Sequence, residues 1–149
     1  MSAYRKILVA VDGSTAAGKG LREAVRLARE ERAQLFILNV VNEYYAFASM
    51  DAAPPPVDIT ATLREGGKRI LAKAEAVARK SGVKPKTILR ETMGAAAADA
   101  IVREAKKQRA DLIVLGTHGR RGVRRIVLGS DAEQVVRTSS VPVLLVRSS

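Results

Sequence analysis

A glycine-rich segment at residues 116–130, GTHGRRGVRRIVLGS, contains the residue types best suited to binding a ligand. It follows the apolar run at 111–115 and precedes a helix-like segment at 131–138. Glycine lets the backbone approach a ligand closely, and a helix N-terminus presents unpaired N–H groups with the positive end of the helix dipole. Such a combination binds anions, phosphate above all. The sequence therefore predicts a phosphate site formed by Gly116, Gly119, Gly129 and Ser130.

Basic residues and a histidine occupy the same segment. A guanidinium group matches phosphate geometrically, so we expect one of the four arginines to contact the ligand and the others to face solvent: Arg120, Arg121, Arg124 and Arg125. His118 is the only histidine of the chain. No Ser–His–Asp arrangement and no paired carboxylates accompany it. We therefore predict a hydrogen-bonding or solvent-exposed role for His118 and no catalytic one.

A second glycine-rich stretch, GSTAAGKG at residues 13–20, nearly matches the P-loop pattern of nucleotide-binding proteins. Position 20 is Gly20, so the hydroxyl group that would bind magnesium is missing. The stretch also fits the start of a helix capped by Ser14, with Gly18 and Lys19 already inside it. We interpret it as a helix N-terminus.

Length and composition indicate one domain, residues 1–149, with an aliphatic core. The absence of cysteine excludes disulfides and thiolate chemistry and fits a reducing cytoplasm. No signal peptide is recognised, and no apolar run approaches the roughly 20 residues of a membrane helix, so we expect a cytoplasmic protein without membrane contact. The net charge of +11 favours phosphorylated ligands, nucleic acid or other anions as partners.

Strands and helices alternate along the sequence. Apolar runs predict five strands at 5–11, 34–41, 84–90, 111–115 and 141–147, and helical periodicity predicts four helices at 14–31, 58–80, 95–108 and 130–138. Residues 42–57, with three consecutive prolines, form a loop. This order predicts a five-stranded parallel sheet with right-handed crossovers and helices on both faces. The polar third strand and the last strand, because of Pro142, are expected at edges.

The glycine pattern Gly116-x2-Gly119-x9-Gly129-Ser130 is similar to the ATP-binding signature of the universal stress protein family. The resemblance extends to KILVAVDGS at 6–14, LFILNVV at 35–41, Gly94 before the third helix, and residues 111–146. It implies an α/β fold of the adenine nucleotide alpha hydrolase-like type with strand order 3-2-1-4-5. The order reverses between strands one and four, which creates a crevice at their carboxyl ends.

The resemblance also implies an ATP site with magnesium in that crevice. Asp12 would approach the ribose or bind magnesium at the phosphates, although an Asx turn before Gly13 also explains it. Val40 would meet the adenine edge, and the histidine that usually precedes it is Asn39 here. The residues implied to bind the cofactor are Ala10, Val11, Asp12, Val40, Gly116, Thr117, His118, Gly119, Arg120, Gly129, Ser130 and Asp131.

For function, the resemblance implies a regulatory or stress-adaptation module with an unknown protein partner. It implies a homodimer formed through the last strand, by Val141, Val143, Leu144, Leu145 and Val146. Two alternatives stay open. A basic nucleic-acid-binding domain would use the arginine segment, but few aromatic residues and no recognised motif support it. A slow ATP hydrolase would need a base that the sequence does not identify, so we do not predict an enzyme.

Overall fold

A computed structural model describes residues 2–42, 59–92, 96–117 and 128–147. Five strands and four helices alternate in these ranges. The strands are β1 (Lys6–Ala10), β2 (Gln34–Asn42), β3 (Lys86–Thr92), β4 (Leu112–Gly116) and β5 (Val143–Val146). The helices are α1 (Thr15–Glu31), α2 (Ile59–Lys80), α3 (Ala97–Gln108) and α4 (Ser130–Thr138). Within these ranges, no helix combines the length and the apolar character needed to cross a membrane.

The five strands form one parallel sheet in the order β3-β2-β1-β4-β5. This confirms the predicted α/β fold class and strand order. The order reverses beside β1, whose two neighbours are β2 and β4. In an open parallel sheet a ligand crevice forms at such a reversal, outside the carboxyl ends of the strands. The polar strand β3 and the last strand β5 lie at the two edges, as predicted.

Two apolar clusters cover the two faces of the sheet. Ile7 and Val9 pack with α1 and α2 on one face, and Leu8 packs with α3 and α4 on the other. This alternation follows from the two-residue period of a strand. Because β1 and β4 are covered on both faces, their residues form continuous apolar runs.

Helix α1 begins where the sequence predicts. The hydroxyl group of Ser14 accepts a hydrogen bond from the Ala17 N–H at 3.1 Å, which caps the helix. The Gly18 N–H donates to Ser14 O at 3.0 Å, so the P-loop-like stretch is helical, as interpreted. A Cβ atom at Gly20 would lie 2.9 Å from Gly116 N. Position 20 is therefore glycine because α1 packs directly against the end of β4.

Strand β3 is shifted relative to its prediction: it spans Lys86–Thr92 rather than 84–90. Pro85 lacks the N–H that a ladder requires, so pairing with β2 begins one residue later, at Lys86 opposite Phe36. The pairing then continues to the end of β2, where Thr92 lies opposite Asn42. Strand length is set here by the partner strand rather than by the apolar run.

Helix α2 packs closely on the sheet through a glycine. A Cβ atom at Gly67 would lie 2.6 Å from Asn39 Oδ1 and 2.7 Å from Leu89 Cδ1, whereas one at Gly66 would meet no atom within 4 Å. Of the adjacent Gly66 and Gly67, only Gly67 is therefore required to be glycine by the packing of α2 on the sheet.

A buried ion pair ties α3 to the edge strand β3. The guanidinium of Arg90 donates to both carboxylate oxygens of Glu104, at 2.8 and 3.0 Å, and Gln108 donates at 2.8 Å. The Glu104 side chain is 4% exposed. Burial by itself raises the pKa of the Glu104 carboxyl, but the hydrogen bonds from Arg90 and Gln108 outweigh it, so the pKa lies below its ordinary value.

Candidate functional site

A cleft opens at the carboxyl ends of β1 and β4, at the reversal of strand order. It is open to solvent, and the space between its walls, open solvent included, is about 740 Å³. Strand ends form its floor, and the first turns of α1, α3 and α4 form its walls. Its lining consists of Ala10, Val11, Asp12, Ser14, Ala16, Ala17, Val40, Ala97, Ile101, Leu115, Gly116, Gly129, Ser130, Asp131 and Ala132.

The three helix N-termini at the cleft differ in their capping. In α1 the Ser14 side chain occupies one of the free N–H groups. The cap residues of α3 and α4 are Ala96 and Gly129, neither of which has a side-chain acceptor. The first N–H groups of a helix need partners from outside its own ladder. The α4 N-terminus, where Gly129 and Ser130 line the cleft, therefore has the donors suited to an anion.

Asp12 leaves the end of β1 and is exposed to the cleft. Its Oδ1 atom accepts a hydrogen bond from the Ser14 N–H at 2.9 Å. This is the i to i+2 geometry of an Asx turn, the structural alternative considered for this residue. Among the described residues no hydrogen bond reaches Oδ2. The turn thus fixes the carboxylate at the cleft and leaves one oxygen for a ligand.

Asn39, on β2, connects that strand to the segment that follows β1. Its Nδ2 atom donates to Val11 O at 2.8 Å, and the side chain is buried. The next residue, Val40, is partly buried against the α3 and α4 face and lines the cleft. The sequence identified Asn39 as a departure from the family pattern. In the structure it holds the end of β1 in place.

Gly116 and Gly129 are glycines for different reasons. A Cβ atom at Gly116 would lie 2.0 Å from Ala16 O, so the packing of α1 on β4 excludes any side chain there. Gly129 has φ −60° and ψ 153°, a conformation that any residue adopts. Its backbone geometry does not require glycine, and a side chain there would project at the entrance to α4.

Thr117 does not line the cleft. It is 2% exposed, and both its N–H and its hydroxyl group donate to Val146 O, at 2.9 and 3.3 Å. The expected role of Thr117 in nucleotide binding therefore lacks geometric support, because its donors are engaged by β5. His118, Gly119 and Arg120 lie outside the described residues, as do Arg121, Arg124, Arg125, Gly94 and almost all of the 42–57 loop.

The structure brings eight of the twelve proposed residues to one cleft: Ala10, Val11, Asp12, Val40, Gly116, Gly129, Ser130 and Asp131. The sequence reasoning missed the small and apolar residues of the walls, such as Ala17, Ala97 and Ile101. A signal was available for them. In a parallel sheet the helix N-termini share an edge with the strand carboxyl ends, so the alanines after Gly94 belong at the cleft.

Two carboxylates, those of Asp12 and Asp131, line the cleft, and both residues are exposed. Within the described ranges no cluster of three or more metal-ligating side chains occurs. Magnesium is commonly held by one or two protein carboxylates together with substrate phosphates. The donor set therefore suits a magnesium ion that arrives with a phosphorylated ligand rather than one held by the protein.

The model of the Universal stress protein family matches residues 3–147 of this chain. A curated relative, universal stress protein MJ0531 from Methanocaldococcus jannaschii, is 36% identical over 144 residues, which cover 97% of this chain and 82% of the relative. The α/β fold is shared with solved members of this family, and the chain belongs to the universal stress protein family.

Three solved structures show this similarity in detail. A universal stress family protein from Burkholderia pseudomallei is 33% identical with a TM-score of 0.76, and 98% of each chain is covered. A universal stress protein in complex with cAMP is 27% identical with a TM-score of 0.70, covering 99% of this chain and 100% of that one. The Archaeoglobus fulgidus protein in complex with dAMP is 26% identical with a TM-score of 0.64, covering 95% and 97%.

Proposed function

We propose that this protein binds ATP, together with magnesium, in the cleft between β1 and β4 and acts as a regulatory module of stress adaptation. The adenine would lie near Val40, the ribose near Asp12, and the phosphates at the α4 N-terminus. It would act on another protein as its regulatory partner. We place it in the cytoplasm, because a chain without cysteine is compatible with a reducing compartment.

The α4 N-terminus is the observation that carries this proposal. It opens into the switch-point cleft without a capping side chain, beside a glycine whose conformation does not require glycine. Two relatives with the same fold are complexes with cAMP and dAMP. Adenine mononucleotides would fit the same walls, and the additional phosphates of ATP would extend toward the glycine-rich segment.

Electrostatics favour magnesium as the companion of ATP. The carboxylates of Asp12 and Asp131 line the cleft where the phosphates would lie, and like charges at short range repel. A divalent cation between phosphates and Asp12 would remove that repulsion. Magnesium should therefore strengthen ATP binding, and the Asp12→Asn variant should lose that magnesium effect while still binding AMP.

Titration calorimetry tests nucleotide binding, with and without magnesium, on ATP, ADP, AMP and cAMP. The Gly129→Val variant places a branched side chain at the α4 entrance without straining the backbone, so we expect a loss of affinity of tenfold or more with an unchanged melting temperature. Gly18→Val is the matched control, because Gly18 lies in α1 outside the cleft lining and a Cβ atom there meets nothing within 4 Å.

Three outcomes would contradict the proposal: no binding heat with any adenine nucleotide, unchanged affinity in Gly129→Val, or equal losses in both variants. Mass analysis of small molecules retained by freshly purified protein gives an independent readout. Sustained phosphate release that Asp12→Asn abolishes would favour the slow ATP hydrolase instead of the binding module.

We also propose a homodimer formed through β5. Val141, Val143, Leu144, Leu145 and Val146 are each partly buried, and β5 lies at an edge of the sheet. An exposed apolar edge strand invites pairing with another chain. A second copy of β5 would cover these side chains and pair the outer edge of the strand.

A further inference from the structure

The edge of the sheet opposite the cleft is strongly basic. Because all five strands are parallel, each connecting helix ends at the edge where the strands begin. The last turns of the helices carry Arg29, Arg79 with Lys80, Lys106 with Lys107, and Arg137. We call the amino-edge surface the part of this edge formed by Arg5, Arg29, Arg32, Lys84, Lys106 and Arg109.

Four of these cations line one open groove of about 920 Å³: Arg5, Arg29, Arg32 and Lys84. All four are exposed, and within the described residues none forms a salt bridge or a side-chain hydrogen bond. The nearby carboxylates are already engaged. Glu31 accepts from the Ala3 and Tyr4 amides, and Asp111 from the Arg5 and Lys6 amides. The groove lining thus contains four cations and no carboxylate, while the carboxylates of Glu31 and Asp111, which remain charged, lie nearby.

A second, smaller pocket on the other face of the sheet contains two more basic residues of this surface. It encloses about 580 Å³ between the end of α3 and the segment before β5, and it contains Lys106, Arg109, Ser139 and Ser140. Lys106 and Arg109 also have no ion-pair partner in the described part of the chain. The two pockets lie on either side of the edge where the strands begin, so the cations are distributed along that edge.

The backbone at two of these arginines is unusual. Arg32 and Arg109 have φ of 55° and 56° and are the non-glycine residues with positive φ among those described. Both terminate helices in the left-handed conformation, where glycine or asparagine is preferred. The equivalent position after α2 is Gly82, with φ 81°. Arginine thus replaces the more favourable residue at two caps, and both side chains belong to the amino-edge surface.

Helix dipoles do not explain these arginines. The backbone N–H groups of Arg32 and Ala33 donate to Arg29 O and Ala28 O, and those of Arg109 and Ala110 donate to Lys106 O and Ala105 O. The terminal carbonyls are therefore satisfied by backbone. A favourable dipole contribution of a few tenths of a kcal/mol to an exposed cation does not exceed the cost of the left-handed conformation.

We infer that the amino-edge surface binds the phosphate backbone of nucleic acid. Five strands about 4.8 Å apart give the edge a width of about 19 Å, long enough for one extended single strand to contact the named cations in succession. Arginine suits phosphate oxygens. The exposed large apolar residues of the described ranges, Val77 and Val136, do not line either pocket. Among the described residues, this surface therefore offers no large apolar side chain on which bases could stack or that could insert into a membrane.

This interaction does not depend on base sequence, and it uses other residues than the arginine segment at 120–125. The scarcity of aromatic residues, which weakens the case for base recognition, is immaterial to backbone binding. The surface lies at the opposite edge from the nucleotide cleft, so the inference does not depend on the proposed function.

Fluorescence anisotropy with a labelled oligothymidylate tests the inference. With four to six phosphate contacts, we expect the logarithm of the affinity to fall against the logarithm of salt concentration with a slope of about −3 to −4. The Arg32→Gly/Arg109→Gly variant should reduce the affinity at low salt at least tenfold and the slope by about 1.4 in magnitude. Its melting temperature should be unchanged or raised, because glycine adopts the positive φ of both caps without steric cost.

The control is Arg22→Ala/Arg103→Ala, which removes the same charge from exposed positions in the middle of α1 and α3. Its affinity should fall no more than threefold. The inference is overturned by absent binding at low salt, by equal losses in both double variants, by competition from saturating ATP, or by phosphatidylglycerol vesicles displacing the oligonucleotide.

Discussion

At the scale of single residues, the two glycines that line the cleft are glycine for different reasons: packing requires the first, and a ligand would require the second. Gly116 is fixed by the backbone of α1, whereas the backbone conformation of Gly129 does not itself require glycine. Both belong to the same sequence pattern, and the pattern by itself assigned both to phosphate. The distinction could not be predicted, because it depends on how closely a helix 100 residues earlier in the chain approaches β4.

Replacing Gly116 by alanine should therefore destabilise the fold. The new methyl group would lie within 2.0 Å of Ala16 O and 2.9 Å of Ala17 N, so α1 must shift, at a cost of about 1–3 kcal/mol. Gly18→Ala, in the same region but with open space at the Cβ position, should stabilise α1 by about 0.5–1 kcal/mol. Urea denaturation of both variants checks this, and an equally stable Gly116→Ala protein would contradict the packing.

Glu104 supplies a pH-dependent contribution. Its pKa is lowered in the folded state, so its stabilisation is fully present above the unfolded pKa and is lost as pH falls through the folded pKa. Glu104→Gln should cost about 2 kcal/mol at neutral pH, since hydrogen bonds to a charged group are replaced by weaker ones.

Acid denaturation distinguishes this role from simple packing. The stability difference between wild-type protein and Glu104→Gln should shrink as the pH is lowered from about 5 to 3. Glu133→Gln is the control, because the Glu133 side chain is 51% exposed and pairs with Arg137 within one helix. A difference that stays constant with pH would show that the charge of Glu104 contributes nothing.

At the scale of elements, β5 has one edge engaged and one edge open. Pro142 O accepts from Ile113 N–H, and Val146 O accepts from Thr117 N–H. Residues 142, 144 and 146 thus direct their backbone groups toward β4, and alternation directs those of residues 143 and 145 outward. The proposed dimer would use these outward groups.

Val143→Pro removes one outward N–H group without breaking the ladder to β4, and proline is tolerated in this setting. We expect it to convert the dimer to a monomer, or to weaken the dimer at least tenfold, in sedimentation equilibrium. Val143→Ala, which shortens the same side chain and keeps the N–H group, should remain dimeric. If wild-type protein sediments as a monomer at every concentration, the β5 dimer is wrong.

The elements themselves were largely predictable, because periodicity and caps are local signals. Ser14 fixed the start of α1, and the bounds 130–138 of α4 match the prediction. The bounds of β3 were not predictable to the residue, because Pro85 and the end of β2 decide them together. The close contact of Gly67 with Asn39 and Leu89 was not predictable either, because it depends on how α2 packs on the folded sheet.

At the scale of the whole molecule, the parallel arrangement places the two proposed sites at opposite edges of the sheet. Strand carboxyl ends and helix N-termini share one edge, where the cleft lies, and strand beginnings and helix C-termini share the other. The net charge of +11 was visible in the sequence, but the placement of basic helix ends at the second edge was not, because it follows from the direction of every helix.

Amide hydrogen exchange should detect this separation. Magnesium with ATP should slow exchange in the first turn of α4, from Ser130 onward, and leave residues 29–34 and 106–111 unchanged. An oligonucleotide should protect 29–34 and 106–111 and leave α4 unchanged. Protection of both edges by either ligand would contradict two independent sites.

The contact between Ala16 and Gly116 restricts how the cleft adapts to nucleotides of different size. With no space for even a methyl group between α1 and the end of β4, that wall behaves as a rigid body. The opposite wall is formed by the first turns of α3 and α4. Any adjustment of the cleft to the nucleotide proposed for it would therefore fall to that wall and not to α1.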